Sequence, residues 1–259
     1  MTTTHVEPIH IEVDDMHIAG TVIAPARRLP GILFVHGWGG SQAQYVVRAR
    51  ALAALGCICL AFDLRGHALT REQHETVTRE SNLRDVLAAY DVLAAHPAVD
   101  PQKIAVIGSS YGGYLAAILT ALRPVRWLAL RVPALYRDED WELPKRALHK
   151  GIALARYRRS VVPAEENRAL RACAEFKGDI LIVESEQDMI IPHPVITSYV
   201  EACSHARSLT YRVLEGADHG LSDKADQEAY TALLLNWLNE MVFSPRKERF
   251  PAEGQRSGR

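Results

Sequence analysis

One short run constrains this chain more than any other. "KIAVIGSSYGGYLAAILTAL", residues 103–122, is an apolar strand pattern that passes straight into an apolar helix pattern, with only "GSSYGG" between them. A strand that turns this tightly into a helix belongs to a layered α/β arrangement, in which the helix packs back on its own sheet. The turn forces unusual backbone angles at Ser110, and the small residues Gly108 and Gly112 let strand and helix come close. It also lifts the Ser110 hydroxyl above the carboxyl edge of the sheet, where α/β proteins bind ligands, with a helix N-terminus behind it that favours developing negative charge. A lone G-x-S-x-G is common by chance, and an idle serine in a glycine-rich junction fits it as well. The rest of the chain has to decide.

Other segments repeat the theme. "HIEVDDMHIAGTVIAP" alternates and turns near Asp14-Asp15, which predicts an antiparallel pair at the start of a sheet. "GILFVHG", "CICLAFD", "WLALRV" and "DILIVES" are short apolar runs of the kind covered on both faces. Helical patterns fall between them, over 49–55, 83–95, 113–122, 194–203 and 226–242. The fold class is therefore α/β, a mostly parallel sheet with helices on both faces. From about 133 to 176 no strand-like run occurs. A structureless loop of that length is unusual inside a compact domain, so this segment is expected to form a small helical cap. The expected organisation is one domain over 1–243 with a cap insertion over 133–176, and a polar tail over 244–259.

Composition narrows the partners. With 48% hydrophobic residues and a formal net charge of −1, the chain gives no electrostatic reason to bind nucleic acid. No apolar run approaches the roughly 20 residues of a membrane span, and "MTTTHVEPIHIEVDD" lacks the pattern of a secretory signal. Cys57, Cys59, Cys173 and Cys203 have neither metal-site spacing nor a disulfide framework. A cytoplasmic protein is expected, without metal or organic cofactor, acting on a small molecule; a homodimer is compatible with the composition.

A serine hydroxyl needs an adjacent base to become a nucleophile. Of 11 histidines, His219 in "LEGADHGLSD" is the best placed, in a loop after the last strand run and before the last helix. His36, ending "GILFVH", is read as structural. The base in turn needs a carboxylate to hold its tautomer. Asp188 in "ESEQDMIIP" lies beyond a strand end and 31 residues before His219, room for one helix and one strand. Glu184, at the strand end, is second choice. Asp218 ranks lower because neighbouring side chains usually point apart. Backbone N–H donors for an oxyanion are expected from Tyr111, after the serine, and from Trp38 in "HGWGGS".

Taken together, "HGWGG", "FDLRGH", "GSSYGG", "SEQDMIIP" and "GADHG" resemble the α/β-hydrolase superfamily across about residues 31–220. "SYGGY" and "DLRGH" are similar to bacterial esterases related to dienelactone hydrolases and to prolyl-oligopeptidase-type catalytic domains. The resemblance implies an eight-stranded, mostly parallel sheet and a Ser110–His219–Asp188 site. Two departures stand out. Ala68 in "RGHALT" replaces a glycine frequent in relatives, and Ser110 occupies the place of the cysteine nucleophile of dienelactone hydrolases, which argues against dienelactone chemistry proper. The expected activity is hydrolysis of a carboxylic ester or thioester through an acyl-enzyme. A small peptidase or amidase, and a non-catalytic ligand-binding protein on the same fold, stay open. "KRALHKGIALARYRR", residues 145–159, has six Lys/Arg and no acid. It reads as a solvated charged face or as a cationic lid for an anionic substrate. Tyr136, Trp141 and Tyr157 fit either a pocket lining or cap packing.

Overall fold

The computed structural model describes residues 4–25, 29–148 and 152–243; the polar segment 244–259, expected as a tail, lies outside the described residues. The alternating N-terminal pattern forms β1 (Thr4–Val13) and β2 (Met16–Pro25), an antiparallel hairpin turning at Asp14-Asp15. Asp14 takes φ 54°, a left-handed angle that Asp tolerates better than most residues.

The apolar runs become β3 (Leu29–Val35), β4 (Ile58–Phe62), β5 (Val99–Ser109), β6 (Trp127–Arg131), β7 (Asp179–Ser185) and β8 (Ser208–Leu214). All eight strands join one sheet in the order β1-β2-β4-β3-β5-β6-β7-β8. From β4 onward every pairing is parallel. The chain leaves β3 to form β4 on one side and returns to form β5 on the other, so the order reverses at β3. The crevice at the carboxyl ends of β3 and β5 is where this topology places a ligand.

Helices α1 (Ala43–Ala54), α2 (Arg79–Ala95) and α3 (Tyr111–Leu119) follow β3, β4 and β5. Strand periodicity sorts the core into two layers. Ile32, Phe34, Ala105, Ile107, Leu181 and Val183 pack against α1 and the C-terminal helix. Leu33, Val35, Val106, Leu128, Leu130 and Ile182 face α2 and α3. Helix α2 begins four residues before its apolar pattern. Its first turn is polar, and Thr78 caps it by accepting the Ser81 N–H through Oγ1 at 3.1 Å.

Between β6 and β7 the described residues hold no strand, only a single bridge from Pro144 to Thr78 and helical pieces. These are a 3₁₀ turn Asp138–Asp140, α4 (Lys145–Leu148), α5 (Ile152–Tyr157), a 3₁₀ turn Ala164–Glu166 and α6 (Arg168–Glu175). Asn167 ties this segment together. Its Oδ1 accepts from Ala169 N at 3.0 Å, capping α6, while its Nδ2 donates to Tyr136 O at 2.7 Å. Helices α7 (His193–Ala202) and α8 (Lys224–Leu238) flank β8. Among the described residues no helix is long and apolar enough to cross a membrane.

Candidate active site

Ser110 sits on the turn between β5 and α3 with φ 51° and ψ −117°, a conformation costly for any residue with a Cβ. The surrounding backbone holds it there. Ser110 N donates to Arg131 O at 2.9 Å, and Ser110 O accepts from Ala134 N at 2.9 Å and Tyr114 N at 3.1 Å. The flanking glycines are obligatory. A Cβ on Gly108 would lie 2.5 Å from Gly112 O, and one on Gly112 would lie 2.2 Å from Val35 O. The close approach anticipated from "GSSYGG" is thus a contact of bare backbone with bare backbone.

The structure brings the three expected side chains together. His219 Nε2 lies 3.1 Å from Ser110 Oγ, and His219 Nδ1 lies 2.6 Å from Asp188 Oδ2. A carboxylate only accepts, so Nδ1 carries the proton and donates it to Asp188; the Nε2 lone pair then faces the serine O–H. Asp188 Oδ1 is held separately by Ile190 N at 2.7 Å and Ile191 N at 2.8 Å. Burial alone would raise the Asp188 pKa. The bond from His219 and the two backbone N–H donors outweigh it, and the carboxyl stays below its usual range. Its side chain is 2% exposed and that of His219 20%.

The lower-ranked acids are engaged elsewhere. Glu184 pairs with His193 Nδ1 at 2.9 Å and accepts from the Tyr211 hydroxyl. Asp218 accepts from Ser222 N and Oγ at 2.9 and 2.6 Å in its own loop. His36 is structural, as expected: it is wholly buried, donates from Nδ1 to Gly37 O at 2.8 Å and accepts from Leu64 N at 3.0 Å.

The "HGWGG" loop lies against the serine: a Cβ on Gly37 would be 3.3 Å from Ser110 Cβ. Tyr111 opens α3, ahead of the first intrahelical bond from Tyr114 N, so its amide belongs to the helix end that faces an anion. The "DLRGH" loop is a brace for "HGWGG". His67 Nε2 accepts from Gly39 N at 3.0 Å, and Asp63 accepts from Gln42 N at 2.8 Å and Nε2 at 2.9 Å. Burial and the neighbouring His36 push the His67 pKa down to about 4, which keeps the ring neutral and able to accept. The brace is itself anchored by Arg65, whose Nε donates to Asp85 Oδ1 at 2.5 Å. Ala68 adopts φ 45°; the left-handed angle costs a residue with a Cβ roughly 1 kcal/mol.

Arg131 was not singled out from the sequence. It ends the buried strand β6 and is 7% exposed. Its Nη2 donates to His219 O at 2.9 Å, with Ser109 Oγ and Ser185 Oγ each 3.4 Å from other guanidinium nitrogens. A cation closing an otherwise apolar run, "WLALRV", was the available signal. A cavity of about 280 Å³ opens on Ser110 and His219, bounded also by Trp38, Arg48, Arg131 and Tyr230.

The sequence profile of the prolyl oligopeptidase family matches residues 43–244. The chain belongs to that family. It is a hydrolase of the α/β-hydrolase type, and its relatives are diverse. It is similar to the mitochondrial palmitoyl-protein thioesterase ABHD10 of Homo sapiens, 24% identical over 241 residues, covering 82% of this chain and 73% of that protein. Among solved structures it superposes on the acylaminoacyl peptidase of Pyrococcus horikoshii with a TM-score of 0.71 at 16% identity. That match covers 98% of this chain but only 44% of the peptidase. It also superposes on a dienelactone hydrolase from Anabaena variabilis with a TM-score of 0.65 at 17% identity, covering 92% of this chain and 99% of the other.

Proposed function

We propose that this family member hydrolyses a small carboxylic ester or thioester through an acyl-enzyme on Ser110. The observation that carries the reading is the continuous relay Ser110 Oγ, His219 Nε2–Nδ1, Asp188 Oδ2 at 3.1 and 2.6 Å, built on a strained turn. As the Ser110 oxygen attacks the carbonyl carbon, its proton passes to His219 Nε2. Asp188 stabilises the imidazolium that results and holds its orientation. The developing oxyanion meets the backbone N–H groups of Tyr111 and Trp38. Collapse expels the alcohol or thiol, protonated by His219. Water, deprotonated by the same imidazole, then releases the acid and restores the serine.

The preference for esters or thioesters is supported by the thioesterase relative, whose match extends over most of both chains. The peptidase and amidase reading is favoured by the family itself. The two differ in the leaving group, since an amine must be protonated as it departs, and His219 is placed for either.

Labelling with a fluorophosphonate, read by intact mass, tests the nucleophile. One adduct on the wild type and none on Ser110→Ala is expected, with kcat of the variant lower by on the order of 10⁴-fold or more and its Tm retained. Near-normal turnover by Ser110→Ala would remove the assignment. A 4-nitrophenyl ester and the 4-nitroanilide of the same acyl group then separate the readings: faster cleavage of the anilide would replace the esterase by an amidase.

A further inference from the structure

The basic stretch 145–159 divides in the structure. Arg146, Arg156 and Arg159 are exposed, as a solvated face requires. Lys145 and Arg158 turn inward, with 0% and 6% exposure. They meet Arg79, the first residue of α2, which is also 0% exposed. All three cations surround one ring. Lys145 Nζ is 4.8 Å, Arg158 Cζ 4.7 Å and Arg79 Cζ 5.6 Å from the centroid of Tyr136. Lys145 Nζ is also 4.5 Å from the Trp38 ring and 4.7 Å from the Tyr111 ring, the two residues that carry the proposed oxyanion donors. The cluster therefore lies one side chain away from the reacting centre.

The two arginines meet neutral acceptors. Arg79 Nη1 donates to Tyr114 Oη at 3.1 Å and Arg137 O at 2.8 Å, and Arg158 Nε donates to Leu135 O at 2.9 Å; all are neutral acceptors. The acids nearby are engaged. Glu80 accepts from Trp141 Nε1. Asp138 Oδ2 accepts from Arg168 N at 2.9 Å and Arg171 Nη2 at 3.2 Å, while its Oδ1 is buried without a partner among the described residues. Burial, with the Arg158 and Arg79 charges beside it, pushes the Lys145 ammonium well below its usual range. Aromatic faces offset only part of the cost of burying the two guanidinium groups.

The decisive detail is which atoms are left over. Arg79 Nε and Nη2, and Arg158 Nη2, are buried and have no hydrogen-bond partner among the described residues. Nε and Nη2 form the edge by which a guanidinium grips two oxygens of one anion. A cavity of about 150 Å³ nearby is lined by Tyr136, Arg137, Leu148 and Leu154.

We infer that the Nε–Nη2 edge of Arg79, flanked by Arg158 and Lys145, binds an oxyanion, the carboxylate or phosphate at one end of the substrate whose carbonyl meets Ser110. The substrate class is thus an ester or thioester with an anionic terminus. This rests on the hydrolase reading, although the anion site itself can be tested without turnover.

The experiment is thermal unfolding of the full chain with glutarate, with inorganic phosphate, with neutral glutaramide, and with sodium chloride at matched ionic strength. A saturable Tm rise of roughly 3 °C or more with at least one anion is expected, and none with glutaramide. Which anion acts distinguishes a carboxylate from a phosphate terminus. Arg79→Gln and Lys145→Met should each weaken the apparent Kd at least tenfold. Lys145→Met keeps the apolar volume and removes a buried amine, so it should fold even if Arg79→Gln does not. In the same variant, the ratio of kcat/KM for mono-4-nitrophenyl glutarate over 4-nitrophenyl valerate should fall at least tenfold. The inference is overturned if neither anion acts beyond salt. It is overturned equally if the effect survives in Lys145→Met, or if it disappears in Arg48→Gln instead, which would place the anion in the larger cavity. Anion binding without turnover of any ester would remove the esterase reading and leave this site standing. Turnover of the valerate ester with no anion effect would do the reverse.

Discussion

At Gly112 the turn that carries Ser110 depends on a missing atom. A Cβ there would sit 2.2 Å from Val35 O and 2.5 Å from His36 O, both main-chain atoms of the neighbouring strand end. Neither can move without dragging the loop that carries Trp38. Gly112→Ala should therefore lower stability by about 3 kcal/mol, the upper end for overpacking, and should disable Ser110 as well. Urea denaturation and fluorophosphonate labelling of the same sample would check both. A stable variant that labels at the normal rate would mean that α3 can slide. The reasons for legibility also lie at this scale. Ser110, Asp188 and His219 each follow a strand, so their place at one sheet edge could be read from strand patterns alone. The choice of Asp188 over Glu184 is decided by the Ile190 and Ile191 amides and by the engagement of Glu184 with His193. Arg79 was not legible. A charged residue in a polar first helical turn looks solvated, and only the cap packed over it makes it buried.

Among the elements, β6 does more than pair with its neighbours. Its last residue, Arg131, reaches across to the loop between β8 and α8 and holds His219 O at 2.9 Å. That loop is also fastened to the end of β7, where Gln187 N donates to Ala217 O at 2.9 Å and Gly216 N donates to Glu186 Oε2 at 2.7 Å. Loops after three consecutive strands are thereby locked into one unit, and the His219 ring inherits its position from it. If Arg131 acts by positioning His219, Arg131→Met should lower kcat roughly 10- to 100-fold while KM shifts less than threefold. Arg131→Lys, which restores a donor, should recover part of the loss. A change confined to KM would mean that Arg131 contacts substrate directly across the cavity it lines. The strands and helices themselves were readable because apolar runs and periodic stripes report burial. Their ends were less so: the first turn of α2 carries no apolar stripe, and only the Thr78 cap marks its start.

For the molecule as a whole, bracing the site with neutral buried histidines ties global stability to pH. His67 and His36 both accept backbone N–H bonds through Nε2, and both have pKa values lowered chiefly by burial. For His67 the value falls from 6.5 to about 4. In the unfolded chain this imidazole binds a proton below 6.5, whereas in the folded protein it does so only near 4. Between those values the unfolded state holds more protons, so stability must fall as the solution is acidified. At pH 4.5 the loss attributable to His67 is about 2.5 kcal/mol, with a further loss of the same sign from His36. Asp188, whose folded pKa is depressed, adds its own loss only at lower pH, as the solution drops below its ordinary value of 3.8. Urea denaturation at pH 7 and pH 4.5 should show the wild type weakened by several kcal/mol. His67→Gln offers an uncharged oxygen to Gly39 N, and in that variant the difference between the two pH values should shrink by about 2.5 kcal/mol. An unchanged difference would mean that His67 already exchanges protons with solvent in the folded state. The "DLRGH" loop would then be open to water, and the "HGWGG" loop would have to be held by the Gln42–Asp63 bonds instead.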